Sequence, residues 1–214
     1  MDTLALLAET WQTYHLTLRT VQHLEMFALS FLITVVAGIA LGILFFSSIN
    51  IRVVGLSTLT VIEMIPDIAL LILLIPLVGI GFPPTISAAV LYSLLPVARN
   101  TTAGLRGVSP DLIETATAVG LNKRDTLYRI RIPLALPLIT AGVRIAVIFC
   151  MGIVTLGGII GAGGLGAPLQ TGITTGNDLL ILVTGCWVTF LAVGMDGIAW
   201  GISRFVAVRF GGRP

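Results

Sequence analysis

Charge is what this chain has least of. Only 10% of its 214 residues are Asp, Glu, Lys or Arg, against roughly 25% in ordinary soluble domains, which excludes a conventional water-soluble fold. Lysine occurs once, and Lys123 follows Asn122 rather than glycine, so there is no Gly-x-x-x-x-Gly-Lys-Ser/Thr phosphate loop. The chain has no means of holding ATP in that manner. The two cysteines, Cys150 and Cys186, lie within apolar runs, where thiols are expected to stay free. His15 and His23 have no cysteine nearby, so no metal cluster is expected. Residues Met1 to Leu18 lack the basic start, apolar core and small-residue cleavage site of a signal peptide. The first 20 residues read as an amphipathic lead-in, with Trp11 and Tyr14 suited to a lipid–water interface.

What the chain does have is apolar length. It is 56% hydrophobic with a mean hydropathy of +1.05 and 24 glycines. The apolar runs are continuous rather than alternating, which predicts closely packed membrane helices instead of a β-barrel. A helix needs about 20 apolar residues to cross the hydrocarbon. Five spans are expected within residues 21–205: Val21–Phe46, Val53–Val78, a short Pro84–Ala98 interrupted by Pro96, Leu134–Leu156 and Leu179–Phe205. A split of the second at Pro66 or Pro76 would make six. The fold class is therefore an all-α integral membrane protein, with a short tail over 206–214.

The few basic residues are unevenly placed. With the N-terminus outside, Arg52, the six between Arg99 and Arg131, and Arg204, Arg209 and Arg213 all fall inside, and Arg19 alone falls outside. That asymmetry predicts an N-out, C-in topology. The loops over 79–84 and 157–177 then face outward without a basic residue.

The inner loop, about 100–133, has its own helical grammar. Ser109-Pro110-Asp111 reads as a cap, a first-turn proline and an acid near the positive dipole end. Leu112, Ala116 and Val119 make a thin apolar stripe, and Gly120 is placed to end the helix. Asn122 with Asp125 begins a second helix, whose apolar face is expected to continue through Leu127, Ile130 and Leu134. Two short helices joined at Gly120 are predicted. Arg124, Arg129 and Arg131 read as orientation anchors or contacts to a partner or to lipid head groups.

This helix–glycine–helix pattern resembles the cytoplasmic loop of permease subunits of bacterial binding-protein-dependent ABC importers, of the type I, methionine-permease-like architecture. Glu114, Ala116, Gly120, Ile130 and Pro133 stand in register with that family's motif; Thr115 replaces its alanine and Ile132 its leucine. The resemblance implies that these five residues couple the chain to separate ATPase subunits, which bind ATP and Mg. It also implies an extracytoplasmic binding protein, a second permease copy or paralogue, and a location in a bacterial or archaeal cytoplasmic membrane. The chain itself is then expected to be no enzyme, to bind no cofactor, metal or nucleic acid, and to touch lipid. Ile65-Pro66, Pro76-x-x-Gly79-x-Gly81, Tyr92-Ser-Leu-Leu-Pro96, Arg99-Asn100-Thr101 and Gly161-Ala-Gly-Gly-Leu-Gly166 resemble permeases for quaternary-ammonium osmoprotectants such as glycine betaine, choline and carnitine. Asp67 departs from the small polar residue expected after Pro66.

Several residues keep two readings. Glu63, Asp67 and Arg144 are ionisable groups in spans, which normally face a bundle interior or a wet path. Glu63 and Asp67, four apart, are expected to share a helix face. That face either pairs with Arg144 or lines the path and attracts a cationic head group. Asp196, toward the inner half of the last span, reads as structural, paired with an arginine on the cytoplasmic side. Gly161, Gly163, Gly164 and Gly166 belong either to re-entrant backbone at an outer gate or to close helix packing. Trp11, Trp187 and Trp200 read as separate interfacial anchors. Two other functions fit the same pattern less fully: a permease of this architecture for methionine or another small metabolite, and a stand-alone channel or secondary carrier, for which paired internal repeats are missing.

Overall fold

A computed structural model describes residues 3–210 of the chain. Ten α-helices run in order: α1 Thr3–Thr13, α2 Leu16–Ser47, α3 Ile49–Met64, α4 Asp67–Val78, α5 Phe82–Arg106, α6 Pro110–Ala118, α7 Lys123–Thr126, α8 Ile132–Leu156, α9 Gly166–Thr175 and α10 Asp178–Arg209. A π-helical turn, Leu127–Arg131, joins α7 to α8, and a 3₁₀ turn, Gly157–Ile160, follows α8. Arg213, part of the basic-end argument, lies outside the described residues.

Among the described residues three helical runs are long and apolar enough to cross a bilayer by themselves: α2, Lys123–Ile160 containing α8, and α10. The α3–α4 pair adds a fourth if counted as one span, bent by 101° at its break. The remaining long helix, α5, stands at the centre, with Ala88, Ala89, Leu95, Val97 and Ala98 almost wholly buried. Its polar residues Ser93, Thr101 and Thr102 are buried too, because protein rather than lipid surrounds them. Small residues permit this crowding. A Cβ on Gly142 of α8 would lie 2.7 Å from the Pro96 carbonyl oxygen.

Proline acts differently at two places. The third expected span is not short: α5 is 25 residues long and continues straight through Pro96. A proline costs an isolated helix about 3 kcal/mol; here Pro96 is buried in the most tightly packed part of the bundle, which offsets that cost. At Pro66 the helix does break. Ile65 takes extended angles (φ −68°, ψ 128°), as a residue before proline prefers. Its carbonyl, lost to the helix ladder, accepts a bond from the Tyr92 hydroxyl of α5. Pro76, by contrast, sits inside α4 without ending it.

The first span begins earlier than expected, because α2 starts at Leu16 after a turn in which His15 adopts a left-handed φ of 50°. The last runs later, carrying the expected tail in helical form to Arg209.

Candidate functional site

The basic knuckle is built by local chemistry. Pro110 opens α6 with Asp111 beside it, but the Ser109 side chain makes no capping bond; proline and acid carry the start. At the far end the Leu121 N–H donates to the Ala116 carbonyl and the Gly120 N–H to the Thr117 carbonyl, both at 3.0 Å. That paired closure needs a left-handed residue, and Gly120 supplies it with φ +89°. A Cβ there would meet nothing within 4 Å, so the requirement is on backbone angle, not on space. Two residues on, Asn122 Oδ1 accepts the N–H groups of Arg124 and Asp125 at 2.9 Å each, while its Nδ2 donates to Asp125 Oδ2 at 2.7 Å. The two helices pivot about Gly120 as the sequence predicts.

Of the five motif residues, Ala116 is buried, Glu114 and Gly120 are exposed, and Ile130 and Pro133 are half-buried. The apolar stripe splits: Ala116 packs inward, but Leu112 is 48% and Val119 70% exposed. The expected second face is also displaced. The π turn inserts an extra residue before α8, so Leu127 and Ile132, not Ile130 and Leu134, join the cluster around Leu105, Ala135 and Ile139. Leu134 is left 40% exposed.

Arg131 is the residue that sequence reasoning missed here. It is not free. Its Nη1 donates to the Leu105 carbonyl near the end of α5 at 2.7 Å, and its guanidinium lies 5.0 Å from the ring centroid of Phe46 on α2. One side chain thus ties the knuckle to two spans that α8 does not directly continue.

At the opposite end of α8 the glycines make a compact corner. Gly161, Gly163 and Gly164 have φ of +78°, +86° and +58°, and the chain doubles back into α9. A Cβ on Gly166 would land on the Thr155 carbonyl oxygen and one on Gly158 on the Gly166 backbone. The Gly164 N–H donates to Gln22 Oε1 of α2 at 3.3 Å. Close packing therefore accounts for Gly166, and turn geometry for the other three.

The intramembrane charges are arranged differently from expectation. Arg144 of α8 pairs with Asp196 of α10, Nε to Oδ1 at 2.6 Å and Nη2 to Oδ2 at 2.7 Å. It does not pair with Glu63 or Asp67. Nor do those two share a helix face, because the break at Ile65–Pro66 separates α3 from α4 and leaves Asp67 in the first turn of α4. The sequence offers no signal for a pair 52 residues apart. Asp196 is structural as expected, although its arginine lies within a span.

The tryptophans are corrected in part. Trp11 and Trp187 meet edge to face with ring centroids 5.2 Å apart, tying α1 to α10, and Trp187 stacks on Phe190. Trp200 stands apart beneath Arg204. Cys150 and Cys186 are both free thiols.

Residues 34–207 match the model of the binding-protein-dependent transport system inner membrane component family. The chain belongs to that family. Among curated relatives it is 37% identical to the osmoprotectant import permease OsmW of Salmonella typhimurium, over 88% of this chain and 89% of that one. It is 31% identical to the glycine betaine/carnitine/choline transport system permease OpuCB of Bacillus subtilis, over 83% and 82%. Among solved structures, an inward-facing MetNI methionine ABC transporter superposes with a TM-score of 0.80 at 24% identity, covering 96% of this chain and 99% of that one. That likeness shows the type I importer permease fold. As a permease subunit the chain is a transport component, not itself an enzyme.

Proposed function

We propose that this permease imports a quaternary-ammonium osmoprotectant of the glycine betaine, choline or carnitine class, delivered by an extracytoplasmic binding protein and driven by a separate ATPase. The observation that carries the reading is the sequence match over most of the chain to one permease named for osmoprotectants and another named for glycine betaine, carnitine and choline, joined to a knuckle of the form an ATPase can grip. Leu112 and Val119 leave apolar surface exposed on α6 beside Glu114, and a monomer in water gains by covering such surface. Basic residues gather at the knuckle end, which fits a cytoplasmic position under the positive-inside rule.

The mechanical reading follows from α8. Its 25 residues run without a break from Ile132, beside the knuckle, to Leu156, beside the glycine corner. A push on α6 is passed to α8 through the second helix, and to α5 and α2 through Arg131. Gly161, Gly163 and Gly164 turn the chain at the outer end where a gate would open, and Gly166 packs that corner against Thr155. So few membrane-crossing helices leave little room for a path within one chain, which pairs with a second permease, identical or paralogous, to enclose it.

Reconstitution tests the reading. Co-expressed with its ATPase and supplied with its binding protein, the chain is expected to accumulate radiolabelled choline or glycine betaine in proteoliposomes only when ATP is present. Import of methionine with no quaternary ammonium would move the chain to the other substrate class. Accumulation without any ATPase would make it a stand-alone carrier.

A further inference from the structure

Asp67 stands out because an unpaired carboxylate within a span is costly unless it faces water or a cation. Among the described residues there are two ion pairs, Arg129–Asp125 and Arg144–Asp196. Neither includes Asp67, and the one arginine inside a span is already held in two bonds by Asp196. Asp67, an exposed residue, opens instead onto a half-open hollow of about 500 Å³ between α4, α5 and α8. The other walls are Tyr92, Phe149, Gly152, Thr155 and aliphatic side chains, so Asp67 is its sole charged group. The apolar hollows against α10, one beside Trp11 and one beside Phe31, have no charged lining.

The hydroxyl protons of the cavity are already committed. Tyr92 donates to the Ile65 carbonyl and Thr155 to the Met151 carbonyl at 2.8 Å. Neither remains to donate to a carboxylate or phosphate. What the hollow offers is the Asp67 carboxylate, with Glu63 near enough to act on Tyr92 as well, and the rings of Tyr92 and Phe149 in a largely apolar surround. Aromatic faces with a nearby anion suit a cation that has no N–H groups to satisfy.

We infer that this cavity is a transmembrane site for the trimethylammonium head of the transported solute, with Asp67 as its counter-charge and Tyr92 and Phe149 as its ring walls. The inference rests on the quaternary-ammonium reading above and adds a selection step inside the permease itself. Gly152 makes the site testable without disturbing the fold, since a Cβ there would meet nothing within 4 Å. The first atom of a larger side chain at this position therefore has open space beside the hollow it lines.

The experiment uses the full complex in proteoliposomes, with initial rates of radiolabelled choline and glycine betaine uptake at sub-saturating solute. Co-purification of the ATPase serves as the assembly control. Asp67→Asn is expected to cut choline uptake about tenfold, between the bulk-water and near-surface strengths of a single charge pair. Zwitterionic glycine betaine should suffer less. Gly152→Leu, by filling the site, should cut uptake of both. Tyr92→Leu should act like Asp67→Asn, whereas Tyr92→Phe keeps the ring and should retain more of the rate.

If Asp67→Asn fails to bring down the ATPase, Gly152→Leu and Tyr92→Leu decide. Choline uptake within twofold of wild type in an assembled Gly152→Leu complex overturns the site while leaving the importer reading intact. A wild-type complex that imports methionine and no quaternary ammonium overturns both together.

Discussion

Arg144–Asp196 and Asp67 are three charges in the membrane-spanning part of one small protein, and their surroundings differ. The first two meet in a two-bond, fork-to-carboxylate pair that joins α8 to α10. Most of α10 faces away from the rest of the chain, so this pair, with the Thr140–Ser203 hydroxyl contact at 3.2 Å, pins a peripheral helix. Asp67 has no such partner and opens onto a cavity. A charge that holds helices together has its counter-charge built in; one that handles cargo leaves that position for the cargo.

The comparison breaks most visibly at the pair. Arg144→Ala strands Asp196, and the yield of folded protein extracted in detergent is expected to collapse, as read by size-exclusion profile. The double change Arg144→Met with Asp196→Leu should recover most of that yield, because it leaves no charge unpaired. A neutral packing change gives the next largest effect. Gly166→Val forces a side chain into the Thr155 carbonyl and should destabilise the glycine corner by about 1–3 kcal/mol, measured as a lower thermal midpoint of the purified complex. Arg131→Ala should leave the protein folded but loosen transmission, lowering solute imported per ATP hydrolysed by up to about tenfold, the size of one charge-assisted hydrogen bond; Arg131→Lys should fall between. The smallest effect is local. Asn122→Ala removes the cap of the second knuckle helix, costs about 1 kcal/mol, and should speed hydrogen exchange at the Arg124 and Asp125 amides while Asn122→Asp does not.

What was legible in the sequence was whatever depends on near neighbours. Gly120 and Asn122 do in the structure what their spacing announces, because closure and capping bonds reach only a few residues. The continuous apolar runs likewise mark the spans. Proline was read too uniformly. Pro66 breaks its helix where the Tyr92 hydroxyl can satisfy the freed Ile65 carbonyl, whereas Pro96 is carried through by dense packing. No local rule distinguishes the two. The partners of Arg144 and Arg131 lie 52 and 26 residues away, and only the fold brings them together. The π turn at Leu127–Arg131 was invisible for a different reason: one extra residue in a turn leaves the composition unchanged while rotating the apolar face. For the Trp11–Trp187 contact, identical residue types at separate positions gave no hint of which two would meet.

The central contrast, a structural charge pair against a cargo-reading carboxylate, is tested most directly by one variant measured in two ways. Asp67→Asn in the purified, ATPase-bound complex should unfold at the wild-type temperature and import choline about tenfold more slowly. Wild-type choline import, or a loss of thermal stability like that of Arg144→Ala, would contradict the account and make Asp67 one more structural charge.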